Sequence, residues 1–291
     1  MFALKGWQIE TGHPLSGEDV ALGGALRWQD SATPLSIWQI GDETSSGYRL
    51  RLGEVLEVDV LPNQRIVSRA RREVPQVTVD HFLADQVFPR LLAHIGELVV
   101  HAGAVRVDDG ALMLVGHSGS GKSTAVASFD QAGLALIGDD AMVITSANCR
   151  SQIRSVYPSL RLMPDSIAAL MPGTATAGLV AHYSTKERID VAGNRPASEV
   201  ALPILAIFAI GEATEQVAIR SISAARGCMA LVENSFSLDP SDVSEAAKRL
   251  DAASAVARNV PMFQITYPRD YARLPEVRAA ILGQVATLEP A

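Results

Sequence analysis

The sequence predicts an α/β fold preceded by a β-rich N-terminal domain, and three observations predict it. Alternating segments rich in β-branched residues run through the first third of the chain. In the middle, a fully apolar run ends in a glycine-rich loop that can open a helix. One helix later, a second apolar run ends in two carboxylates. Composition agrees: of 291 residues 48% are hydrophobic and 20% charged, the balance of a globular protein with a sizeable core.

Residues 49–52, 55–60 and 65–67 alternate with period two, and Pro62-Asn63 makes a turn between the last two, so they read as short antiparallel strands. Phe82, Val87, Leu91, Leu92 and Ile95 recur at helical spacing, which predicts a linking helix over 79–95. Residues 98–107 read as a candidate strand pair. They are followed by Asp108-Asp109-Gly110, a hairpin turn. Ala111-Leu112-Met113-Leu114-Val115 is the continuous apolar run of a strand buried on both faces. A domain boundary is placed near residue 96, giving a β-rich domain over 1–95 and a second domain over 96–291.

Several function classes are disfavoured. The formal charge of −7 argues against a nucleic-acid partner, which needs a basic face. Arg69-Ala70-Arg71-Arg72 runs against that trend and reads as a solvated strand end or turn. The longest apolar stretch, 200–210, is about half a membrane span and contains Pro203. The start carries no basic-then-apolar leader, and Cys149 and Cys228 are too few for a disulfide scaffold or metal cage. The expected compartment is the cytoplasm, with no membrane partner.

Gly116-His117-Ser118-Gly119-Ser120-Gly121-Lys122-Ser123 fits G-x-x-x-x-G-K-[ST] at every fixed position, with Thr124 next in the helix it opens. Glycines at 116, 119 and 121 permit positive dihedrals, so successive N–H groups can point inward around a phosphate. The helix N-terminus favours negative charge. Lys122 can reach the β- and γ-phosphates, and the Ser123 hydroxyl can ligate Mg²⁺. The chain has four lysines against twenty-one arginines, so a lysine here is less readily an accident. The motif points to nucleoside triphosphate binding and is silent about what receives the phosphate.

Gly133-Leu134-Ala135-Leu136-Ile137-Gly138-Asp139-Asp140 reads as a strand ending in two acids, beside the loop if both lie at carboxyl ends of strands. One acid can hold Mg²⁺ and the other can accept a hydroxyl proton. His101 stands fifteen positions before Gly116. A lone histidine in an apolar strand is more often a hydrogen-bonded core residue than a catalytic one, and His117 reads as a variable loop position.

These residues resemble the C-terminal catalytic domain of the HPr serine kinase/phosphorylase family. The resemblance rests on His101-Ala102-Gly103-Ala104-Val105, the 116–123 loop and Leu136-Ile137-Gly138-Asp139-Asp140, and covers residues 98–145. It implies a phosphoenolpyruvate-carboxykinase-like P-loop kinase domain with a mixed sheet. It also implies that His101 lies near the catalytic acid, that Asp139 is general base toward a seryl hydroxyl, and that Asp140 contacts metal. The family's Glu-Ile-Arg-Gly stretch is absent. Tyr157-Pro158-Ser159-Leu160-Arg161-Leu162-Met163-Pro164-Asp165 takes its place, followed by Lys186-Glu187-Arg188. Nor is the family's N-terminal domain recognisable in 1–95. The layout, including Tyr267-Pro268-Arg269-Asp270-Tyr271-Ala272-Arg273-Leu274-Pro275, looks more like related proteins from peptide-modification operons. Those include kinases that phosphorylate the C-terminal serine of lasso peptides.

Arg161 and Lys186 are the cations that could neutralise a transferring phosphoryl group or contact the acceptor, a surface salt bridge being the alternative for each. Met163 and Met171 read as core filler. The expectation is an ATP- and Mg²⁺-dependent kinase acting on a serine of a peptide or protein, recognised by the N-terminal domain. A small-molecule kinase and a nucleotide-sensing regulator without transfer activity are the alternatives.

Overall fold

The computed structural model describes residues 4–16, 24–41, 46–147, 150–157, 159–189 and 201–288. Met1, Cys149, Pro158 and Val200, which entered the sequence reading, lie outside them. The chain folds as two units. One comprises Met1–Gly96, Val180–Ser184 and Ser237–Ala247; the other comprises Glu97–Leu179, Thr185–Phe236 and Lys248–Ala291.

The first unit is built on six strands, β1 (Gln8–Thr11), β2 (Ala25–Gln29), β3 (Leu35–Gly41), β4 (Ser46–Leu52), β5 (Leu56–Leu61) and β6 (Arg65–Ala70). Their order is β1-β6-β5-β4-β3-β2, antiparallel except for the β1–β6 pair. Alternation drives Leu50, Leu56, Val58 and Ile66 into the core and puts charged residues on the opposite face. There Asp59 accepts from Arg49 at 2.6 and 2.9 Å and from Arg69 as well. Arg71 reaches the carbonyl of Glu54 at 2.9 Å. Arg69 and Arg71 of the arginine cluster are thus held by acidic neighbours at a strand end.

A helical rod follows: α1 (Gln76–Phe82), a π-helical turn (Leu83–Val87) and α2 (Phe88–His94). Pro89 cannot donate to the carbonyl one turn back. The wider π turn absorbs the defect, with the Phe88 N–H donating to the Leu83 carbonyl. Two later segments complete this unit. The Tyr48 hydroxyl donates to Asp239 at 3.3 Å, and Thr78 Oγ1 lies 3.0 Å from His182 Nδ1.

The second unit begins with β7 (Leu98–Val100), β8 (Ala102–Val107), β9 (Gly110–Val115), α3 (Lys122–Gln131), β10 (Leu136–Gly138), β11 (Met142–Ala147) and β12 (Arg150–Ser155). Next come β13 (Leu160–Leu162), α4 (Pro164–Leu170), β14 (Thr176–Leu179), β15 (Glu187–Ile189), β16 (Leu202–Ile210) and β17 (Ala218–Ser221). The chain then runs through α5 (Ala224–Glu233), α6 (Val243–Asn259), β18 (Met262–Thr266) and α7 (Leu274–Ala286).

The large sheet is mixed. β9, β16 and β18 lie side by side and parallel, while β8 and β17 flank them antiparallel. β12, β11 and β7 extend from the start of β16 as an antiparallel arm. β10 pairs antiparallel with β8, so it runs in the same direction as β9 although the two do not touch. β13, β15 and β14 form a small separate sheet.

Period-two alternation in β9 splits its side chains between two cores. Leu112 and Leu114 pack with Val126 and Phe129 of α3 and Ile281 of α7. Ala111, Met113 and Val115 pack with Leu231 of α5 and Val256 of α6. The sheet is therefore covered on both faces, which is why β9 reads as unbroken hydrophobic sequence. One expectation fails: Met171 is buried, but Met163 is 42% exposed because it extends just ahead of Pro164, where α4 starts. No described helix is long and apolar enough to cross a membrane.

Candidate functional site

Four same-direction strands, β9, β10, β16 and β18, end at one edge of the sheet, and the candidate site lies there. β9 delivers the 116–123 loop, β10 delivers Asp139 and Asp140, β16 delivers Gly211, and β18 delivers Tyr267 and Arg269.

The loop has the backbone its glycines allow. Gly119 and Gly121 sit at φ 77° and 91°, in the left-handed region that side chains avoid. α3 starts directly at Lys122, and no side chain caps its first N–H groups. Those donors face the loop, as an anion site requires. The Lys122 ammonium is 4% exposed and donates to the carbonyls of Gly116 at 2.5 Å and His117 at 3.0 Å. Burial pushes its pKa down to about 8, although Asp139 and Asp140 pull the other way. His117, Ser118 and Gly119 are exposed, while Ser120, Gly121, Ser123 and Thr124 are half-buried.

The two acids differ in kind. Asp139 is fully buried, and neither carboxylate oxygen makes a hydrogen bond of ordinary geometry among the described residues. Burial, then the neighbouring Asp140, pushes its pKa up to about 7. The nearby Ser123 hydroxyl, Arg161 and Lys186 offset only part of that rise. Asp140 is also buried but engaged: its Oδ2 lies 2.6 Å from Arg161 Nη2 and its Oδ1 lies 3.7 Å from His101 Nε2. Asp140 also holds φ at 79°, a strained value for a side-chain-bearing residue.

His101 sits in the break between β7 and β8. Its backbone N–H donates to the Asn234 carbonyl at 2.6 Å, and its side chain is 34% exposed. It is neither a core residue nor a free surface one. Arg161, read as a phosphoryl or acceptor contact with a surface salt bridge as the alternative, is 4% exposed. It pairs with Asp140, bonds the Tyr157 hydroxyl and stacks over that ring at 5.2 Å. Lys186 is half-buried, and its charge acts on both Lys122 and Asp139.

Magnesium takes oxygen donors, and the cluster offers the Ser123 hydroxyl and two carboxylates. Among the described residues neither buried oxygen of Asp139 has a hydrogen-bond partner of ordinary geometry, so the group keeps acceptor capacity. The residues fit such an ion.

Motif and spacing did not mark the contribution from β18. The Tyr267 hydroxyl and Arg269 Nη1 lie 3.2 and 3.6 Å from where a Cβ on Gly121 would stand. Arg269 also stacks on the Tyr267 ring at 4.4 Å and donates to the Gly211 carbonyl at 2.8 Å. The segment entered the sequence reading only as part of the layout resemblance over 267–275, and nothing local says that the strand before it pairs with β16.

No protein-family model and no curated protein matches the chain. Among solved structures, it is similar to the HPr(Ser) kinase/phosphatase from Coxiella burnetii. That match covers 65% of this chain and 97% of that one, at 12% identity and a TM-score of 0.33. At that similarity the functional reading is built on the residues of the site.

Proposed function

We propose that this chain is a phosphotransferase that moves the γ-phosphate of ATP to a serine hydroxyl on a peptide or protein. A ribosomally made peptide of the lasso type is the acceptor class favoured by the sequence layout. One observation carries the reading: a fully buried carboxylate, Asp139, whose oxygens make no hydrogen bond of ordinary geometry among the described residues, stands beside Ser123 and within the field of Lys122. A protein that only sensed nucleotide would gain nothing from that costly arrangement.

In this reading the loop N–H groups and Lys122 hold the phosphates and offset the charge that develops on them. Magnesium, when bound, supplies further positive charge there, and Ser123 and Asp140 are the residues that would hold it. A carboxylate holding a cation must be an anion, and Asp140 is already one in its pair with Arg161. Asp139 accepts the serine proton, because burial raises its proton affinity. His101 orients Asp140 from the open side. The test is incubation with MgATP and a panel of serine-containing peptides, read by mass spectrometry. A gain of one phosphate on a serine is expected, and transfer to small alcohols alone would overturn the acceptor class.

A further inference from the structure

β13 supplies the guanidinium that grips Asp140, and the segment leading into β13 supplies a residue that fixes it. Arg161 Nη2 lies 2.6 Å from Asp140 Oδ2, and both side chains are buried. The second carboxylate oxygen, Oδ1, is 3.7 Å from His101 Nε2, beyond hydrogen-bond reach of that ring. The two oxygens are therefore unequal. Oδ2 is committed to Arg161, and Oδ1 is the one held more loosely.

An arginine does not keep such an inequality unaided. Its planar fork matches both oxygens of a carboxylate, and the bidentate pair is the stronger arrangement. Tyr157 opposes a rotation into that pair. Its hydroxyl accepts a hydrogen bond from the same Nη2, and the guanidinium carbon lies 5.2 Å from the centre of its ring. The tyrosine is itself anchored. It is 3% exposed, and its carbonyl accepts from the buried Ser155 hydroxyl at 2.6 Å. The Val156 N–H donates to the carbonyl of Ala141, the residue after Asp140, at 3.0 Å. Ser155 packs where Gly138 has no side chain, since a Cβ there would stand 2.3 Å from its hydroxyl. The segment carrying Tyr157 is thus fixed to the strand end that carries the acids.

We propose that Tyr157 is a positioning residue: by holding Arg161 on one oxygen of Asp140, it keeps the other oxygen open for the cation that accompanies the nucleotide. The inference rests on the reading of Asp140 as a metal contact and is independent of what accepts the phosphate. Without the hydroxyl, the guanidinium loses an acceptor and turns toward the one that remains, Asp140, where it competes with the metal.

The test is calorimetric titration of the full chain with ADP, in EDTA and across a series of Mg²⁺ concentrations. Tyr157→Phe keeps the buried ring and removes only the hydroxyl. The Mg²⁺ concentration that gives half of the gain in ADP affinity should rise about tenfold, the scale of losing a partner behind a metal ligand. ADP affinity in EDTA should stay within about twofold of wild type, because the phosphate loop and Lys122 are untouched. In an Arg161→Lys chain, which has no fork to rotate, adding Tyr157→Phe should change the Mg²⁺ requirement by less than about twofold. An unchanged Mg²⁺ requirement in Tyr157→Phe overturns the proposal, whether or not the melting temperature falls. So does the same full shift in the Arg161→Lys chain, and so does a Tyr157→Phe chain that fails to fold, which would make the tyrosine a packing residue. A wild-type chain whose ADP affinity ignores Mg²⁺ overturns the metal reading of Asp140 itself.

Discussion

At the scale of single residues, the site works through differences between neighbours of the same type. Asp139 and Asp140 are adjacent, but one is fully buried with no ordinary hydrogen bond among the described residues and the other is tied to Arg161, so their variants should behave differently. Raising a carboxyl pKa from 3.8 to about 7 means that the unfolded state releases its proton first as pH climbs. That group therefore erodes stability between those values and adds no further cost above them. Asp139→Asn should accordingly melt higher than wild type near pH 8 and no higher near pH 4, in paired thermal scans; an equal difference at both would contradict the burial account. Lys122 has the opposite sense: its pKa is depressed to about 8, so its charge is lost as pH rises through that value. Lys122→Ala should remove most affinity for MgATP while leaving the fold intact, since the lysine acts on the charge of the ligand. Unchanged calorimetric affinity would detach the lysine from the ligand. The loop was legible because its chemistry is written in eight consecutive residues. The burial of Arg161 was not, since its partner is twenty-one positions away and nothing local records the pairing.

Among the elements, the decisive contact is between α3 and β8. Gly103 faces the helix that the phosphate loop opens, and a Cβ there would stand 2.5 Å from Val126 Cγ2 and 3.4 Å from Asp139 Oδ1. Gly103→Ala should therefore push α3 outward and disturb Asp139 together, costing about 1–3 kcal/mol of stability. Chemical denaturation checks the first effect and phosphate transfer the second; a variant with wild-type values for both would show that the helix can yield freely. The alternation in β4, β5 and β6 and the helical spacing through Leu91 could be read directly, because each element announces its own period. The π turn depends on Pro89 meeting the carbonyl one turn back, a consequence of local sequence that periodicity alone does not show. The approach of Tyr267 and Arg269 to Gly121 depends on β18 lying parallel to β16 and β16 parallel to β9. Such long-range pairing has no local signature, so that half of the site stayed out of reach.

For the whole molecule, the first unit draws on segments far apart in sequence. Val180–Ser184 and Ser237–Ala247 belong with the residues before Gly96, through contacts such as Tyr48 with Asp239 and His94 Nδ1 with Glu245 at 3.7 Å. A chain cut after residue 95 keeps those later segments without their partners, and it should be poorly soluble and aggregate on purification; a monodisperse fragment on size-exclusion chromatography would contradict this. The proposed activity needs the whole chain, so its test belongs at this scale too. Single-turnover transfer from ATP to an acceptor serine, followed across a magnesium titration, compares wild type with the two acid variants. Asp139→Asn should lose about two to four orders of magnitude in transfer at every magnesium concentration while still binding ATP. Asp140→Asn should regain part of its rate as magnesium rises. Full turnover by Asp139→Asn would contradict the account.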